Sequence, residues 1–130
     1  MYKSRIGTDI NPIVNESGEK IKELFGPKQN FLKQSIAEVI IPYGCYSLKH
    51  YHPEAEETYI FLSKNRHYRV FASNIGKLII DDKEIFIKED DVIGINAGVI
   101  HQIFNITRDD LIFLVICSPA WETIKTIYVN

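Results

Sequence analysis

The chain has 130 residues, of which 45% are hydrophobic and 25% charged, and its formal net charge is -2 at neutral pH. These values are typical of a single globular domain and argue against disorder. Basic residues are scattered among acidic ones, which argues against a nucleic-acid-binding surface. Because no apolar run is long enough for a signal peptide or a membrane span, we expect a cytoplasmic protein with Cys45 and Cys117 as free thiols.

The predicted elements are mostly short β-strands. The first segment, 17–25 (SGEKIKELF), is open to two interpretations, a short helix capped by Ser17 or an edge strand. From residue 31 onward, β-branched and aromatic runs alternate with turn residues. The predicted strands cover residues 34–41, 45–52, 58–63, 66–73, 91–98, 100–106 and 110–118, with a hairpin over 77–87 that turns at 81–83.

Eight or nine short strands at intervals of about 8–12 residues are typical of an all-β sandwich or barrel. With no repeat, low-complexity tract or linker, residues 1–130 are predicted to form one domain. The run 110–118 is apolar on both faces of its strand. This pattern predicts core on one face and a subunit interface on the other, and therefore a homodimer.

Three of the four histidines lie in two short segments. Because alternate residues of a strand share a face, His50 and His52 point the same way. Pro53 ends their strand, so Glu57 can lie on the next strand and face the same space. His101 could complete the set from a further strand.

Three imidazoles and one carboxylate form a site for one divalent metal ion, and Fe, Mn, Zn, Ni and Cu all suit this set of nitrogen and oxygen donors. Alternation adds neighbours on the same faces. The predicted wall of a substrate pocket consists of Tyr46, Leu48, Tyr59, Ile103 and Asn105. For Tyr46, Leu48 and Tyr59, filling the interior of a barrel is an equally good interpretation.

These residues match a known pattern. The segments HYHPEAEE and GVIHQIFN resemble the two signature motifs of the cupin superfamily, here motif 1 at 44–64 and motif 2 at 90–105. The chain departs from the pattern at Lys64, Asp90 and Asn96, where glycine, glycine and proline are expected. The family spacing, together with alternation against Tyr59, favours Glu57 over Glu56 as the carboxylate ligand.

The resemblance implies a cupin jelly-roll barrel, a double-stranded β-helix, with a short N-terminal extension. Relative to similar small cupins, residues 64–75 form an insertion that contains His67, and we expect this histidine to be an exposed loop residue. The insertion would cover the site or form a subunit contact.

The resemblance also implies a function. The first hypothesis is a metal-dependent enzyme, similar to oxidoreductases, dioxygenases or decarboxylases of the superfamily, that acts on a small polar or acidic metabolite. The alternative is a sugar-phosphate isomerase of the mannose-6-phosphate type, with Glu57 or Tyr59 as the base. A second alternative is a non-catalytic sensor that binds a metal or ligand.

Overall fold

The structure is a computed structural model that describes residues 1–63 and 73–130, and nearly all of its regular structure is β-strand. Two short 3-10 turns, Pro27–Gln29 and Thr123–Lys125, interrupt the strands. The strands are β1 (Ile13–Val14), β2 (Lys20–Phe25), β3 (Ser35–Ile41), β4 (His50–Tyr51), β5 (Glu56–Ile60), β6 (Asn74–Ile80), β7 (Lys83–Lys88), β8 (Val92–Ile95), β9 (His101–Asn105), β10 (Leu111–Ser118) and β11 (Ile127–Tyr128).

The strands form two antiparallel sheets with a jelly-roll arrangement. Sheet A has six strands in the order β1-β2-β3-β10-β5-β8, and sheet B has five in the order β11-β4-β9-β6-β7. Within the described residues the two sheets remain separate rather than closing into one continuous barrel. The predicted all-β jelly-roll arrangement is confirmed in this two-sheet form.

The inner faces of the two sheets form the core. Alternation is clear in β10, where Leu111, Phe113, Val115 and Cys117 are buried and the residues between them are more exposed. Sheet B contributes fully buried aliphatic residues that complete one apolar cluster with them. Burying each such side chain contributes about 1.5–3 kcal/mol, so this cluster provides a rigid base for the polar residues described below.

Several element predictions are confirmed, and two need correction. The hairpin turn is confirmed, since Asp81 and Asp82 both have positive φ, as a tight two-residue hairpin turn requires. The helix interpretation of 17–25 is wrong, because residues 20–25 form β2, which lies between β1 and β3. The predicted strand 45–52 is reduced to His50–Tyr51. The predicted strand 66–73 and most of the insertion 64–75, including His67, lie outside the described residues.

The outer face of β10 is only partly covered. Ile112 is 38% exposed, whereas Leu114 and Ile116 are half-buried. The homodimer therefore stays a prediction. In the described ranges no helix is both long and apolar enough to cross a membrane. Cys45 and Cys117 are free thiols, as predicted.

Candidate metal centre

Strand register brings the candidate ligands together between the two sheets. In sheet B, His50 of β4 lies directly opposite His101 of β9. His52 follows β4, and its carbonyl accepts a 2.8 Å hydrogen bond from the Gly98 N–H, so the loops of the two motifs are joined. Gly98 has a φ of 81°, a conformation that favours glycine. Glu57 comes from β5 of sheet A and faces the three imidazoles.

The four side chains converge closely. One carboxylate oxygen, Glu57 Oε1, lies 3.0 Å from His52 Nε2 and 2.9 Å from His101 Nε2. The His50 ring centroid is 5.0 Å from that of His52 and 4.3 Å from that of His101. One ligand atom from each of the four residues lies within 4.8 Å of all the others. All but His50 are buried, so this cluster could bind one metal ion.

Hydrogen bonds on the far side of each ring determine which nitrogen faces the centre. His50 Nδ1 donates to the Leu48 carbonyl over 2.6 Å, and His101 Nδ1 donates to the Val99 carbonyl over 2.9 Å. His52 Nδ1 contacts the Thr126 hydroxyl at 3.4 Å. With the proton on Nδ1, each neutral ring presents an unprotonated Nε2, the form in which imidazole binds a metal.

This arrangement fits a cation and is otherwise unfavourable. His101 Nε2 and Glu57 Oε1 are both buried and have no hydrogen-bond partner among the described residues, although they are only 2.9 Å apart. Two acceptors at this distance repel each other unless a positive charge lies between them. Ligand atoms about 2.1 Å from one ion and at right angles about it are roughly 3.0 Å apart, close to the two contacts of Glu57.

The ionisation of the cluster is consistent with metal binding. Burial, followed by the neighbouring His101, lowers the pKa of His50 to about 4, so this ligand stays neutral at physiological pH. Burial favours the neutral forms of Glu57 and His101, but their contact outweighs it, so the pKa of Glu57 is lowered and that of His101 is raised. A proton can therefore replace the cation in the metal-free protein.

The structure distinguishes the two neighbouring carboxylates. Glu57 is 5% exposed and belongs to the cluster, whereas Glu56, one residue earlier on β5, is exposed to solvent. The second oxygen, Glu57 Oε2, accepts a hydrogen bond from Cys117 Sγ over 3.5 Å. Residues 57 and 117 are partners in the β5–β10 register, so sheet pairing itself places the thiol beside the carboxylate.

A cavity of about 50 Å³ adjoins the cluster and has room for a few water molecules or the polar end of a small ligand. Tyr59 lines it, and burial with the nearby Glu57 charge raises the pKa of Tyr59 well above its usual value. Two carboxylates that the sequence interpretation misses, Glu19 and Glu23, also line it. In the sequence, residues 17–25 could be a helix or a strand. Only the strand interpretation places Glu19 and Glu23 on the same face, so the sequence alone does not identify them as cavity residues.

Of the five residues predicted for the pocket wall, the structure places only Tyr59 in the lining of this cavity among the residues it describes. Ile103 is fully buried in the apolar core. Tyr46 is 41% exposed and stacks on Phe104, and Leu48 is half-buried in an irregular stretch before β4. Asn105 donates from Nδ2 to the carbonyls of Ile41 and Asp109, so it stabilises a loop.

Comparison with known proteins agrees with the motifs. No family model matches the chain. The uncharacterized protein MJ1618 of Methanocaldococcus jannaschii is 31% identical over 114 residues, which cover 87% of this chain and 83% of that protein. A crystal structure of a predicted oxalate decarboxylase from Thermotoga maritima is 25% identical, with a TM-score of 0.70 over 91% of this chain and 99% of that chain. The chain belongs to the cupin superfamily. At 31% identity over most of both chains, this protein and MJ1618 are members of one family.

A more distant cupin structure confirms the fold alone. Streptomyces Pac13, described as a unique nucleoside dehydratase, superimposes with a TM-score of 0.74 in a structure with uridine, over 100% of this cupin and 92% of that chain. The identity is 13%. One departure from the cupin pattern is accommodated directly: Asp90, where the motif has glycine, adopts a φ of 69°.

Proposed function

We propose that this cupin is a metal-dependent enzyme that converts a small polar metabolite at a centre formed by His50, His52, Glu57 and His101. The observation that carries the proposal is the convergence of three imidazole rings on a buried carboxylate, with His50 and His101 each oriented by a hydrogen bond from Nδ1. A divalent ion bound there would polarise a substrate oxygen. Its donor set suits Fe, Mn, Zn, Ni or Cu.

The cavity favours proton transfer, and thus an isomerase or lyase, over the other reaction types expected from the resemblance. Glu19 is 7% exposed, and burial raises its pKa to about 7, so it can accept or donate a proton near neutral pH. We propose Glu19 for the role that the sequence interpretation gives to Glu57, because Glu57 is committed to the ligand cluster. Tyr59 stays neutral and would donate a hydrogen bond to the substrate.

An oxidoreductase or decarboxylase activity is the second candidate. It is supported by the 25% identity to the predicted oxalate decarboxylase of Thermotoga maritima over almost the full length of both chains. The non-catalytic sensor is the third, and it would share the metal centre without turnover. A cytoplasmic location and a homodimer remain parts of the proposal that await measurement.

Metal content tests the centre. We expect purified protein to hold about one divalent ion per chain by elemental analysis, and Glu57→Gln or His101→Ala to lose it while remaining folded by circular dichroism. Glu56→Gln is the matched control, since it changes the adjacent exposed carboxylate, and should keep the ion. Full metal occupancy in Glu57→Gln or His101→Ala would show that the assigned ligands are wrong.

The reaction type is tested separately. In a metabolite screen in D₂O, an isomerase or lyase incorporates solvent deuterium at carbon, detected by NMR, whereas an oxygenase consumes O₂. Deuterium incorporation that is lost in Glu19→Gln would support the proposed proton transfer. Oxygen consumption without deuterium incorporation would favour the second candidate, and a metal-loaded protein without any turnover would favour the sensor.

A further inference from the structure

Strand β2 and the residue just before it bring two carboxyl groups into the cavity beside the metal cluster. Glu19, Ile21 and Glu23 are alternate residues and all line this cavity, as the period of a strand requires. The intervening Lys20 and Lys22 do not line it. Inward-facing carboxylates are unusual in a sheet whose other inner residues are largely apolar, because burying an unpaired charge is costly.

The two carboxyl groups have free hydrogen-bonding capacity. Glu19 Oε1 accepts a 2.8 Å bond from Asn15 Nδ2, which leaves its other oxygen for a ligand. Glu23 Oε1 is buried without a partner among the described residues, and burial raises the pKa of this group. The backbone makes room for it at Gly26, where a Cβ would collide with Glu23 Oε1.

A third group in the cavity also lacks a partner. Tyr59 is 4% exposed, and no group in the described ranges forms a hydrogen bond with its hydroxyl. The hydroxyl lies at the cavity that Tyr59 lines, so it is available to form a hydrogen bond with a ligand there. A ligand that satisfies Tyr59, Glu19 and Glu23 together must offer an acceptor to the phenol and donors to the carboxyl groups, as a molecule with hydroxyl groups does.

Charge narrows the class of ligand further. A ligand group that binds a divalent ion must present a lone pair, which a protonated amine lacks, so a cationic group is disfavoured at the metal itself. Glu19 and Glu23 disfavour an anion, because like charges placed together in a partly buried site cost several kcal/mol. No lysine or arginine among the described residues lines the cavity to offset them. Lys64, Arg66 and Arg69 lie outside the described ranges.

We propose that this cavity selects a small, uncharged, hydroxyl-bearing substrate, and that the Glu19 and Glu23 carboxyl groups are its hydrogen-bonding partners beside the metal. The inference rests on the proposed metal centre and specifies its substrate class. It separates this cupin from an enzyme for dicarboxylates or sugar phosphates, whose substrates carry negative charge. In this proposal the two carboxyl groups determine which substrate binds, whichever bond the enzyme breaks.

Glycolamide and glycolate test the inference, because they have nearly the same size and shape and differ in charge. Each is titrated at pH 8 into Co²⁺-loaded protein, and binding is followed by the visible absorption of the metal. We expect the wild type to bind glycolamide more tightly than glycolate, although a carboxylate is the better ligand for a free metal ion. Glu19→Gln should raise glycolate affinity about tenfold because it removes a like charge, and should lower glycolamide affinity because a neutral amide oxygen is a weaker acceptor than a carboxylate.

If Glu19→Gln folds poorly, Glu23→Gln is an independent second variant. It should also raise the affinity for glycolate. Glu56→Gln removes an equal charge from the exposed position on β5 and should leave both affinities unchanged. A wild-type preference for glycolate that neither cavity variant alters would overturn the inference while the metal centre stands. Failure to retain Co²⁺ would instead overturn the metal centre, and the inference with it.

Discussion

Glu19→Gln should stabilise the metal-free protein in a pH-dependent way. Glu19 is 7% exposed, and its pKa is raised from 4.5 to about 7, chiefly by burial. A carboxyl group with a raised pKa favours the folded state when protonated, and this contribution is lost as the pH rises from the unfolded value through the folded one. Glutamine has the same shape without the charge, and its side-chain oxygen can still accept the hydrogen bond from Asn15.

The size of the effect follows from the shift. One pKa unit corresponds to about 1.4 kcal/mol, so the ionised carboxylate costs the wild type about 3 kcal/mol at pH 8. At pH 5 most of the folded protein is protonated at Glu19, and the cost falls to about 1 kcal/mol. Glu19→Gln should therefore be more stable than the wild type by about 3 kcal/mol at pH 8 and by about 1 kcal/mol at pH 5.

Urea unfolding of metal-free protein at both pH values measures these differences. Glu56→Gln, which removes an exposed carboxylate, serves as the control and should change stability by no more than about 0.5 kcal/mol at either pH. A stabilisation by Glu19→Gln that is the same at pH 5 and pH 8 would refute the reasoning, because the substitution removes an ionisation whose cost to the wild type grows over this range. So would a loss of stability at pH 8.

Three further predictions concern the cluster and its support. Cys117→Ala should weaken metal binding about tenfold in a chelator competition because Glu57 Oε2 loses its hydrogen bond, whereas Cys117→Ser should restore most of the affinity. In metal-free protein, ¹⁵N NMR should show that His50 remains neutral down to about pH 5 while His101 is protonated at higher pH, and the reverse order would contradict the assigned environments. Ser47→Ala should cost about 1–3 kcal/mol in urea unfolding, against almost nothing for exposed Ser73→Ala, because the Ile103 N–H loses its buried acceptor.

The fold and the ligand cluster could be predicted because both depend on local patterns. His50 and His52 are two residues apart, so extended backbone places both side chains on one face. The sequence motif then links them to Glu57 and His101. The hairpin turn at Asp81 and Asp82 is equally local. Each of these features is determined within a few residues of the chain.

The pocket wall could not be predicted in the same way. Alternation cannot be extended from His50 back to Tyr46, because residues 47–49 do not form a regular strand and the face is not preserved. Ile103 lies on the same face of β9 as His101, two residues further along the strand. At that point the face packs into the apolar core, so Ile103 does not reach the cavity. The cavity is instead completed by Glu19 and Glu23, from a segment whose strand character depends on pairing with the distant β3.

The cross-strand pair of His50 and His101 makes the centre sensitive to strand alignment. A shift of β4 by one residue against β9 would turn His50 away and present Tyr51, because neighbouring residues face opposite sides of a sheet. This pair is the one register contact between β4 and β9 in the described part of the chain. Metal binding would therefore stabilise this alignment of β4 and β9 over alignments shifted by one residue. The ion would select the correct register at a pair of strands joined by a single register contact.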